Sequence, residues 1–158
     1  GGRAEFKTAR RIQPDGTVRE GTRREGSWWA AFENLSAGDV LVVEFQMEET
    51  GEPRYKGYFG LMLPLQPEFD PVQDARITLV HPEGKAVYHE AVRFTANPDI
   101  AVKDGKVCTV WEVKGIPHVP QEPNMPPFYE TIAYIHFSTF KTWADVGEWF
   151  SGLVRDRF

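Results

Sequence analysis

With 158 residues, 41% of them hydrophobic and 13% aromatic, the chain is long enough to bury a sizeable core. A net charge of −5 excludes the basic footprint that a nucleic-acid backbone demands. The single cysteine, Cys108, excludes internal disulfides and a cysteine-based zinc site, and no run reaches the ~18 apolar residues of a membrane span.

Fourteen glycines and twelve prolines punctuate the chain every few residues, which suits short strands and many turns. Residues 3–12 and 17–25 flank Gln13-Pro14-Asp15-Gly16, a turn in which Pro sets φ and Gly permits φ > 0. This reads as a hairpin with few apolar residues, an exposed edge or arm over 1–32. Its arginines (Arg10, Arg11, Arg19, Arg23, Arg24) alternate with Glu5, Asp15, Glu20 and Glu25, as on a solvated surface. Residues 40–48 are the clearest strand, with Leu41, Val43, Phe45 and Met47 on one face. Residues 54–63 carry apolar side chains on both faces (Tyr55, Tyr58, Phe59, Leu61, Met62, Leu63), as in a central strand or one under an interface. Pro64, Pro67 and Pro71 then mark a loop.

Residues 76–80 and 85–94 read as a second hairpin across His81-Pro82-Glu83-Gly84. Further turns at Asn97-Pro98-Asp99 and Lys103-Asp104-Gly105 precede a strand over 107–113, in which Cys108 shares a face with Val110, Glu112 and Lys114. A proline-rich loop, 116–127, is expected to be ordered because its prolines restrict φ. A strand over 132–137 follows, with His136 on the face of Ile132 and Tyr134, a satisfied core or interface imidazole. Strand–turn units at this spacing, without helices between them, predict an all-β antiparallel sandwich with one C-terminal helix. That helix spans 142–158: Thr142 caps it, Asp145 completes a short capping box, and Trp143, Val146, Trp149, Phe150, Leu153 and Val154 form one apolar stripe. The stripe is expected to dock through Trp143, Val146, Trp149 and Phe150. The pattern is still periodic where the sequence stops, which points to a longer protein.

Four segments resemble a bacterial family known as a domain of unknown function, whose members precede a transglutaminase-like (papain-fold) domain in exported proteins. They are the strand entry at 34–45, the Pro64-to-Val72 loop ahead of Ile77-Thr78-Leu79-Val80-His81-Pro82, Trp111 with Glu122-Pro123-Asn124-Met125-Pro126-Pro127, and the helix start at 138–150. The resemblance covers about residues 33–158 and is most specific in the last segment. It implies one accessory β-sandwich over 1–158 and a periplasmic or extracellular location. It also implies a downstream transglutaminase-like domain as partner, which would carry any enzymatic activity of the full-length protein.

Within the chain itself no catalytic, cofactor or metal set emerges. Cys108 lies mid-strand with no positioned base and reads as a packing thiol. His81, His89, His118 and His136 have no metal-ligand spacing. Two functions from different classes remain. One is a non-catalytic domain that positions or restricts the downstream hydrolase, with Trp143, Trp149, Phe150, Leu153, Val154 and Phe158 as the interdomain surface. The other is a peptide- or glycan-binding module that uses an open sheet edge or an aromatic face, the latter stacking its ligand on Trp28, Trp29, Tyr55 and Tyr58, for which a buried role of these rings is the competing reading.

Overall fold

A computed structural model describes residues 2–23, 30–49, 57–66 and 69–155, and shows a mainly β chain with one C-terminal helix, as the turn spacing predicts. The chain divides into two compact units, Gly1–Arg54 and Tyr55–Phe158, where the sequence suggested one domain.

In the first unit, β1 (Gly2–Ile12), β2 (Val18–Glu20) and β5 (Val40–Glu49) form an antiparallel sheet in the order β2-β1-β5, and β3 (Thr22–Arg23) pairs with β4 (Ala30–Ala31). β1 is thus central. It registers with β5 from Ile12↔Val40 to Gly2↔Glu49, so the expected arm is the middle of a sheet. The predicted turn is present: Gly16, at φ 85°, donates its N–H to the Gln13 carbonyl, and the Asp15 carboxylate accepts from Thr17 N–H at 2.9 Å. The alternation of β5 holds, yet Leu41, Val43, Phe45 and Met47 are all exposed.

An ion pair locks the loop before β5 to the central strand. Arg11 Nε donates to Asp39 Oδ2 at 2.8 Å, with the two side chains only 7% and 3% exposed. Arg11 also donates to the Glu33 carbonyl at 3.2 Å, and Ser36 N–H donates to Asp39 Oδ2 at 2.6 Å. The Ser36 amide, helped by the Arg11 guanidinium, holds the Asp39 carboxyl below its ordinary pKa against the opposing pull of burial.

The second unit is a sandwich. One sheet orders β7 (Val72–Pro82), β10 (Lys106–Ile116) and β9 (Asp99–Lys103); the other orders β6 (Gly60–Pro64), β11 (Tyr134–Ser138) and β8 (Tyr88–Val92). The first contributes Ile77, Trp111, Val113 and Ile116 to the core and the second Ile135 and Phe137, with Leu65 and Ala133 from the flanking loops. Asp104 (φ 52°) and Gly105 (φ 70°) make the two-residue turn between β9 and β10, a type I′ pattern matched to the strand twist. Cys108 sits half-buried between Val80 and Ala101, on the face opposite Trp111, as predicted.

Three expectations are corrected. Residues 76–94 do not form a hairpin: β7 pairs with β10 and β8 with β11, so the turn after Pro82 carries the chain from one sheet to the other. The strand expected over 54–63 is described only as Gly60–Pro64, with every residue exposed; Tyr55 and its neighbours back to position 50 lie outside the described residues. His136 is exposed, because the buried face of β11 is that of Ile135 and Phe137.

One buried polar side chain ties the loops together. Gln66, 1% exposed, donates Nε2–H to the carbonyls of Asp70 (3.2 Å) and Pro117 (2.8 Å) and accepts from Ala133 N–H at 3.1 Å. It joins the chain entering β7, the proline-rich loop and the start of β11. Val119 N–H adds a bond to the Phe69 carbonyl at 3.0 Å, and the Phe69 ring meets Phe128 edge-on at 5.2 Å.

Gln66→Leu strands the buried Ala133 N–H and the two carbonyls, and urea unfolding is expected to show a loss of about 1–3 kcal/mol. Asp39→Asn should lower the melting temperature at neutral pH. A depressed carboxyl pKa stabilises above the unfolded value and is lost as pH falls through the folded one, so the gap between variant and parent should close below pH ~4. A gap constant from pH 7 to 3 would contradict this.

Candidate functional site

The C-terminal helix α1 (Trp143–Arg155) begins at a reciprocal cap. Asp145 Oδ2 accepts from the backbone N–H of Thr142 (2.7 Å) and Lys141 (3.0 Å), while Asp145 N–H donates to Thr142 Oγ1 at 3.2 Å. This is the predicted box, and the Thr142 hydrogen bonds hold the Asp145 carboxyl below its usual pKa.

Beyond the cap, aromatic stacking joins the helix to the sandwich. Tyr58 lies 5.5 Å from Trp149 and 5.7 Å from Phe140, and Phe140 lies 5.4 Å from Trp149. Tyr58 is placed by Thr139: Phe59 N–H donates to Thr139 Oγ1 at 3.1 Å, and Thr139 N–H donates to the Phe59 carbonyl at 3.0 Å. Gly60 leaves room for the ring, since a Cβ there would collide with the Tyr58 hydroxyl. The expected docking through all four stripe residues is therefore corrected. Val146 and Trp149 are half-buried, Trp143 is 88% and Phe150 60% exposed, and no helix residue is fully buried.

Between the helix and the outer face of the β6-β11-β8 sheet runs a groove of about 970 Å³. Its helix side carries Trp143, Val146, Trp149, Phe150 and Leu153; its sheet side carries Tyr88, Glu90, His136 and Ser138. Glu90 and His136 are cross-strand partners, and so are Tyr88 and Ser138. His89, from the same strand, turns its ring edge-on to Trp111 at 4.8 Å. Ser138 Oγ accepts the Phe140 N–H at 3.0 Å, and among the described residues no hydrogen bond links it to a histidine. No group of three or more His, Cys, Asp or Glu among the described residues could hold a metal ion. The groove is thus equipped to seat an apolar or aromatic surface, with a few polar groups along one wall.

Of the residues proposed from sequence, the structure brings Trp143, Trp149, Phe150 and Leu153 into one groove, with Val154 exposed beside them; Phe158 lies outside the described residues. Trp28, Trp29 and Tyr55 also lie outside them. Tyr58 lines the groove, but its ring is already stacked on Phe140 and Trp149 rather than free for a ligand. Sequence reasoning missed Phe140 and Tyr88. The Ser138-Thr139-Phe140 run ahead of the cap was the available signal.

Trp149→Ala should loosen the helix by about 1–2 kcal/mol, the scale of two aromatic pairs, with loss of helical circular dichroism before the sheets unfold. Trp143→Ala should stay within about 0.5 kcal/mol of the parent.

The chain belongs to the family described as "Domain of Unknown Function with solved-structure structure (DUF3857)", whose model matches residues 23–120. No curated protein matches it. Its fold is similar to that of a crystal structure described as a "putative protease" from Parabacteroides distasonis, at a TM-score of 0.71 and 17% identity. That likeness covers 89% of this chain and 31% of the other, so the chain spans about a third of its structural neighbour.

Proposed function

We propose that this family member is a non-catalytic sandwich that positions or restricts a transglutaminase-like hydrolase or protease domain in a longer, exported protein. The observation that carries the reading is the apolar groove along α1, where Trp143 and Phe150 stand exposed at a surface built by a firmly capped helix. Exposed apolar patches of this kind mark contact surfaces. The similar protease-titled chain, about three times the matched length, supports a larger protein around such a sandwich. The missing nucleophile–base pair at Ser138 and the strand position of Cys108 support a non-catalytic role.

Hydrogen–deuterium exchange on residues 1–158 and on the full-length protein tests the proposal. The amides of Trp143–Arg155 are expected to exchange at least about tenfold more slowly in the full-length protein, and Trp143→Ala with Phe150→Ala should abolish that protection. Equal exchange in both forms would remove the interdomain role from this groove.

A further inference from the structure

The first unit holds a second cavity of different character. It measures about 560 Å³, within the roughly 300–1,000 Å³ range of small-molecule sites. Its lining includes Arg11, Arg19, Glu20, Glu33, Gln13 and Asn34. We propose that this cavity is a binding site for a neutral saccharide.

The chemistry of the wall selects that class. Two arginines against two glutamates leave no excess positive charge, and Arg11 is already neutralised by Asp39. A phosphate or carboxylate ligand therefore gains no net attraction. Guanidinium, carboxylate and amide groups are all planar, with paired donors or acceptors that match adjacent hydroxyls. Phe32 adds one apolar face to the same cavity. It lies so close to Gly21 that a Cβ there would meet the ring at 2.7 Å, so a glycine is what lets the ring sit against the backbone.

One further observation points to a ligand. Arg11 is held before any ligand arrives, by Asp39 and by the Glu33 carbonyl, and its other N–H groups have no protein partner among the described residues. That rigidity lowers the entropic cost of binding.

Calorimetric titration of residues 1–158 with cellohexaose, maltohexaose and chitohexaose tests the proposal, with inorganic phosphate and glucuronic acid as charged probes. At least one neutral hexasaccharide is expected to bind with a Kd below about 1 mM, at least about tenfold tighter than either charged probe. Glu20→Ala with Glu33→Ala, both exposed and hence tolerated by the fold, should weaken that binding at least about tenfold. Gln13→Ala, measured independently, should also weaken it, while Trp143→Ala in the other unit should leave it unchanged. No binding by any of the three saccharides, tighter binding of a charged probe, or parent-like affinity in both cavity variants would overturn the assignment.

Discussion

The sandwich of the second unit depends on one indole. Trp111, 1% exposed on the middle strand of its sheet, meets Phe137 edge-on at 5.5 Å and His89 at 4.8 Å, and both belong to the opposite sheet. Its backbone neighbour across β7 is Ile77, which is also buried. A side chain of this size gains its burial energy only when both sheets close over it. This demand decides the topology around it. Ile77 must lie beside the indole and His89 must lie across from it, so the chain between them has to change sheets. The turn after Pro82 does so, where a hairpin would have put both residues in the same layer.

That demand explains which parts of the fold were legible in the sequence. Alternation within β10 was legible, because Thr109, Trp111 and Val113 against Cys108, Glu112 and Lys114 record the two faces directly. The Asp104-Gly105 turn was legible, because its backbone needs φ > 0 twice and the residue types announce it. The sheet change at 83–87 was not. A strand that pairs with its successor and a strand that crosses over carry the same local pattern, and only long-range partners distinguish them. His136 was misplaced for a related reason. Ile132 and Ala133 are both buried, so strict alternation begins only at Tyr134 and the phase read from Ile132 is off by one.

The site was legible in part on similar terms. The capping box at Thr142 and Asp145 is encoded by residue types at fixed spacing and formed as read. The apolar stripe identified which helix residues are hydrophobic, but periodicity does not say what covers them. The sandwich takes up Trp149 through Tyr58 and Phe140 and leaves Trp143 and Phe150 open. Phe140 falls in the resembling segment 138–150, but its stacking role was not legible because it precedes the helix and belongs to no periodic run.

A 13-residue helix is marginal by itself, so its order rests on the cap and on a small aromatic stack. A surface supported by so few contacts is sensitive to whatever covers it: a partner burying Trp143 and Phe150 would add apolar burial larger than the stack now supplies. The cavity near Arg11 follows the opposite logic. It is polar, it carries no excess positive charge, and its key side chain is fixed by an ion pair whether or not a ligand is present. An apolar protein face gains little from such a wall, whereas along α1 it can bury Trp143 and Phe150. The two surfaces therefore call for different occupants, which means that attachment to a larger protein and recognition of a small ligand would not compete for the same residues.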